Sequence, residues 1–119
     1  MDLFSFVEDY LFASPIIASW QDMRAVFKKA ASGKPRQWNL PAVACEAVGG
    51  ADNLAVPAMT SIACLHISII LIDDMLDNDP RGEYIKLGFP TTANLAVAFN
   101  AASYEAKKRR HTSWLVWRN

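Results

Sequence analysis

The sequence lacks most of what would mark the commoner functional classes. Lysine plus arginine equals aspartate plus glutamate, 12 of each, so the formal net charge is zero. A balanced chain has no field with which to steer a polyanion, and nucleic acid is not expected as a partner. There are two cysteines, Cys45 and Cys64, and neither shares metal-ligand spacing with another cysteine or a histidine. Their expected state is the buried free thiol of a reducing compartment. No signal peptide is expected, because Asp2, Glu8 and Asp9 interrupt the apolar region it would need; the expected location is cytoplasmic. A length of 119 residues allows one domain at most, burying about two-thirds of its unfolded surface.

Charge is also missing from residues 54–72, nineteen positions long enough to cross a bilayer. A small single-span membrane protein is therefore one reading. Pro57, Thr60, Ser61, His66 and Ser68 interrupt the stretch, and aspartates follow it at once. A helix buried in an all-α core has the same composition, and that reading is preferred over a membrane span.

What is present is acid at the end of this stretch. Residues 69–82 read I-I-L-I-D-D-M-L-D-N-D-P-R-G, with Asp73, Asp74, Asp77 and Asp79 close together. Helical spacing puts Asp73 and Asp77 one above the other, with Asp74 about 100° around the same turn. Like charges so close repel. Acid at a helix C-terminus also opposes the helix dipole unless a cation compensates. Hard oxygen ligands in a loose cluster suit Mg²⁺, which keeps several waters and binds through one or two carboxylates plus substrate phosphates. Arg81, just beyond Pro80, is placed to pair with an aspartate or a bound phosphate. The plainer alternative is a solvated helix end that Asp-Asn-Asp-Pro simply terminates.

The remaining segments are expected to be helical, making an all-α fold. Residues 1–31 carry apolar residues at i, i+3, i+4, i+7 spacing, with Asp2 as N-cap, Gly33 as stop and a break near Ser14-Pro15. Lys34 and Arg36 lie in a connector around Pro35, followed by Trp38; two cations beside Gly and Pro also suit a solvated turn. Residues 40–48 read as a short helix closed by Gly49-Gly50. The next helix is expected to start near Asp52-Asn53 as its N-cap and to run through His66 to about Asp77. His66, taken alone, reads as a hydrogen-bonded core residue. Residues 91–105 read as a last helix with Leu95, Val97, Ala98, Phe99 and Ala102 for packing.

The segments A-C-E-A-V-G-G (44–50) and L-H-I-S-I-I-L-I-D-D-M-L-D-N-D-P-R-G (65–82) resemble the front half of a trans-prenyltransferase, the polyprenyl (isoprenyl diphosphate) synthase family. The likeness runs from about residue 33 to about 106 and includes the family's first aspartate-rich motif, D-D-x-x-D. It implies an isoprenoid-synthase helical bundle, here partial and without the C-terminal helices. It also implies Mg²⁺ held by Asp73, Asp74 and Asp77 as metal-binding and catalytic residues. Lys34, Arg36, His66 and Arg81 would bind substrate diphosphate. The implied reaction transfers the prenyl group of an allylic diphosphate to isopentenyl diphosphate. A terpene cyclase shares the aspartate motif, but the A-C-E-A-V-G-G and L-H context resembles the synthases better.

Departures from the family pattern shape the rest of the expectation. Where the family has G-G-K-R-x-R-P, this chain has S-G-K-P-R-Q-W; after Asp79 its remaining acids are Glu83 and Glu105, with no second aspartate motif. Residues 1–106 are accordingly expected to be the N-terminal part of a synthase domain. Residues 107–119, K-K-R-R-H followed shortly by W-L-V-W, read as a basic and aromatic tail from truncation or a shifted frame. Such a chain is expected to dimerise or to associate with a complete synthase. The alternative is a non-catalytic, partner-binding subunit or truncated paralogue.

Overall fold

The computed structural model describes residues 3–118, with side chains for residues 3–106. The chain is all-α: helices and 3₁₀ turns are its regular elements, and no strand occurs among the described residues. In order they are α1 (Leu3–Leu11), α2 (Pro15–Ala18), α3 (Gln21–Ser32), a 3₁₀ turn (Arg36–Asn39), α4 (Leu40–Ala47) and a second 3₁₀ turn (Asp52–Ala55). Then come α5 (Val56–Leu76), α6 (Tyr84–Leu87) and α7 (Phe89–Arg118).

The long helix α5 is the axis of the fold. Met59, Ala63, Cys64, Ile67 and Leu71 on it are buried, and its most extensive partner is α7, through Leu95, Ala96, Phe99 and Ala102. Small residues let these two backbones approach. Ser68 Oγ donates to the Ala96 carbonyl at 2.8 Å, and Ser61 Oγ to the Ser103 carbonyl at 2.9 Å. Each such bond contributes about 1 kcal/mol and, more importantly, satisfies a buried hydroxyl. α1 crosses the same core through Val7 and Leu11, and the Tyr10 hydroxyl donates to the Ala106 carbonyl at 3.1 Å. An aromatic cluster closes the α3 side. Phe27 stacks on Trp38 with centroids 5.7 Å apart, Phe12 meets Phe27 edge-on at 5.6 Å, and Phe4 packs on Trp38. Fully burying side chains of this size is worth roughly 1.5–3 kcal/mol each.

Two helix ends use the same device. After α4, Gly49 takes φ 87°, its N–H bonds to the Glu46 carbonyl, and the Gly50 N–H bonds to that of Cys45. After α5, Asn78 takes φ 52° and the Asp79 N–H reaches back to the Asp74 carbonyl at 2.9 Å. Both are Schellman closures, in which a left-handed residue lets the chain turn back on the last carbonyls. Asparagine tolerates that conformation better than most residues with a β-carbon.

The structure corrects several local expectations. The N-terminal segment is three helices, because Pro15 starts α2 as its first residue and extended backbone at Trp20 precedes α3. Asp52 and Asn53 do not cap α5; they form the 3₁₀ turn before it, and Pro57 occupies the first turn of the helix. Val97 is 69% exposed, because the packing face of α7 is set by Leu95, Phe99, Ala102 and Ala106. α7 begins before residue 91 and extends beyond residue 105. Asp2 and the side chains of the 107–119 tail lie outside the described residues.

The acidic end of α5 as a candidate ligand-binding face

The helix phase separates the aspartates. At about 100° per residue, Asp74 continues the stripe of Ile67, Ile70 and Leu71, while Asp73 and Asp77 share a neighbouring stripe with His66. Asp73 and Asp77 are exposed and Asp74 is half-buried. A third stripe holds Leu65, Ile69, Ile72 and Leu76, spaced i, i+4, i+7, i+11, and every one of them is exposed. α5 therefore presents an open apolar strip that ends at Leu76, with exposed Asp73 along its edge and Asp77 farther around the helix.

Asp74 looks the other way, into a cavity of about 240 Å³. Val26 and Ala30 of α3 and Ile67, Ile70 and Leu71 of α5 wall it, and Lys29, Asp74, Arg81 and Glu83 stand among its lining. The polar groups are already engaged in pairs. Lys29 Nζ lies 2.6 Å from Glu83 Oε1, tying α3 to the segment after the acidic motif. The Arg81 backbone N–H and Nε both donate to Asp79 Oδ1, at 2.9 and 3.2 Å, and its Nη2 donates to Oδ2 at 3.1 Å. These bonds hold the Asp79 carboxyl below its ordinary value. Burial, and then the charge of Asp79, push the Asp74 carboxyl up; Arg81 opposes this, while Asp73 and Asp77 add to it. The charged form of Asp74 is thus disfavoured by its surroundings.

Gly82 is what lets this loop close. A β-carbon there would stand 2.6 Å from the Tyr84 ring and 2.9 Å from the Asp74 β-carbon. The segment following Pro80 therefore folds directly onto the acidic end of α5.

His66 stands on α5 two turns above Asp73 and joins that helix to the connector, with Trp38 Nε1 donating to its Nδ1 at 2.9 Å and Gln37 at its Nε2 at 3.0 Å. His66 is hydrogen-bonded as expected, but it is half-buried at the edge of the core and not within it. Lys34 and Arg36 are both exposed on that connector. Sequence reasoning missed Lys29, Glu83, Gln37 and Trp38 as members of these clusters. The Lys29 and Gln37 contacts join residues 54 and 29 positions apart, which no local pattern encodes.

Among the described residues, no three His, Cys, Asp or Glu side chains are gathered to hold a metal ion by themselves. Asp79 has both carboxylate oxygens committed to Arg81. The donors that remain, Asp73 and Asp77 one turn apart, fit a hard cation that brings its own oxygen ligands. Mg²⁺ bound to a phosphorylated ligand is such a cation. α5 with its preceding turn, Asp52–Leu76, is also long and apolar enough to cross a membrane, though 56% of its most apolar window is buried inside the fold. An all-α domain with an acid-ended central helix is the class these features define. No family model, no curated protein and no solved structure matches the chain.

Proposed function

We propose that the exposed face of α5 binds an isoprenyl diphosphate with Mg²⁺, as one wall of a prenyl-transfer site. The observation that carries this reading is the exposed Leu65, Ile69, Ile72 strip bordered by exposed Asp73, with Asp77 one turn beyond Asp73 on the neighbouring stripe. A hydrocarbon tail matches the strip, and a metal–diphosphate head matches the carboxylates. The motif likeness of residues 65–82 to the polyprenyl synthases supports the same ligand class, with an allylic diphosphate and isopentenyl diphosphate as the pair of substrates.

In this reading Asp73 and Asp77 hold the cation, while Asp74 braces the loop carrying Arg81. Bound Mg²⁺ would neutralise charge developing on a leaving diphosphate. The apolar strip would exclude water from an allylic cation. Lys34 and Arg36 supply positive charge from the connector side. One wall does not enclose a ligand, so turnover requires a second acidic wall from a partner chain, either another copy or a complete synthase. The same exposed strip supports a second reading, in which the chain is a partner-binding subunit without turnover of its own.

The test is titration of an allylic diphosphate with and without Mg²⁺. Binding is expected with the ion and is expected to vanish in Asp73→Ala with Asp77→Ala. Binding that ignores both the metal and the two substitutions would end the proposal.

A further inference from the structure

The Trp38–His66–Gln37 cluster has a direction that chemistry fixes. Trp38 is fully buried, and its indole nitrogen is a donor only, so the bond to His66 Nδ1 makes that atom an acceptor. His66 is then neutral and carries its proton on Nε2. Gln37 Nε2 lies 3.0 Å from that atom, and two donors cannot bond. The Gln37 amide is therefore turned with its oxygen toward the ring.

This chain of bonds pins the turn Arg36–Asn39 to α5. Its other end is fixed too: Lys34 sits at φ 47°, with its N–H bonded to the Ala31 carbonyl at 2.9 Å. A lysine keeps such backbone only where its surroundings hold it there. His66 also shares its stripe of α5 with Asp73, about 10 Å along the axis. The pinned connector therefore lies on the Asp73 and Asp77 side of the helix.

We propose that His66 is a positioning residue, a neutral latch that holds the connector bearing Lys34 and Arg36 against the stripe of α5 that continues to Asp73, and lets the connector go when it is protonated. The latch stands on the hydrogen bonds alone; the use of the two cations rests on the diphosphate reading above. Protonation puts a proton on Nδ1, turns the Trp38 contact into donor against donor and strands a buried indole N–H. The charged groups on the surrounding elements are Lys34 and Arg36 on the connector, Asp73 on α5, Glu46 on α4, Asp52 on the second 3₁₀ turn, Glu83 and Lys86 at α6, Glu8 and Asp9 on α1, and Asp22, Arg24, Lys28 and Lys29 on α3, with Glu8 lying 3.9 Å from Lys28. Burial is the cause that lowers the histidine's affinity for a proton. The sign follows. The unfolded chain takes up the proton first as pH falls through 6.5, the ordinary histidine value, so the latch stabilises at neutral pH and is lost on acidification.

Nitrogen NMR of His66 and amide exchange of residues 36–39, followed from pH 8 to 5, test this. The expected result is the Nε2–H tautomer at pH 8. Connector protection, the exchange rate relative to an unstructured amide at the same pH, should fall about five- to tenfold as His66 titrates, as for one lost hydrogen bond. His66→Asn, whose carbonyl replaces the Nδ1 acceptor, should keep the connector protected at every pH. His66→Phe should leave it exchanging fast throughout. An Nδ1–H tautomer, or a connector indifferent to His66→Phe, would overturn the proposal. Inorganic diphosphate with Mg²⁺ separates the two ideas: a histidine that is itself a ligand predicts tighter binding on acidification and a loss in His66→Asn. A latch that behaves as stated in a chain that binds no diphosphate supports the latch and faults the ligand reading alone.

Discussion

Two sides of α5 have similar composition and opposite fates. The side built from Ala63, Cys64, Ile67 and Leu71 is covered by α7, α1 and α3, with 2% or less of each residue exposed. The side built from Leu65, Ile69, Ile72 and Leu76 is 43%, 49%, 42% and 74% exposed. Scattered exposed leucines need no explanation, but a continuous helical strip of four does. Hydrophobicity alone thus does not say what a residue is for. Residues on the covered side hold the fold, whereas those on the open side are available to a ligand or partner.

Substitutions that treat the two sides alike should give unlike results. Phe99→Ala, on α7 against the covered side, should cost about 3–5 kcal/mol in denaturant unfolding, because Phe99 is fully buried. Ile69→Gln with Ile72→Gln should change stability by less than about 1 kcal/mol and reduce self-association in sedimentation. Equal losses from the two sets would mean that the open strip is core after all.

Gly82→Ala is expected to cost about 1–3 kcal/mol, since its methyl must displace the Tyr84 ring and Asp74. The readout that sharpens the comparison is the ligand face: Mg²⁺-dependent binding should weaken with it, because the loop bearing Arg81 rests on the acidic end of α5. An effect of the opposite sign is expected at Thr92, a fully buried residue whose hydroxyl has no hydrogen-bond partner among the described residues. Thr92→Val should raise the unfolding free energy by about 1 kcal/mol, by removing an unsatisfied polar group without opening a cavity.

The parts of this structure that were legible in the sequence are those set by local rules. Gly49-Gly50 closed α4, Gly33 followed the end of α3, and Pro15 marked a break in the N-terminal segment, because backbone sterics act within a few residues. The central helix was legible from residues 54–72, and an all-α fold followed from helical spacing along the chain. Phase within that helix was less legible. Spacing sets Asp74 about 100° around the turn from Asp73, but which stripe is covered depends on packing, which turns Asp74 toward the cavity and leaves Asp73 and Asp77 exposed. Spacing makes Val97 available for packing, yet it is exposed, since an apolar residue is apolar on either face and contact with α5 decides which face is covered. Trp38 and His66 could not be paired in advance, because their bond depends on how the connector folds across α5.

The measurement that bears most directly on the proposed ligand face is a pair of affinities in the presence of Mg²⁺, one for an allylic diphosphate and one for inorganic diphosphate. A strip that receives the hydrocarbon tail should make the allylic compound bind at least tenfold tighter, about 1.4 kcal/mol. Ile69→Gln with Ile72→Gln should erase that difference while leaving inorganic diphosphate unaffected. Equal affinities in the unsubstituted chain would contradict the reading of α5 as the wall of an isoprenyl site.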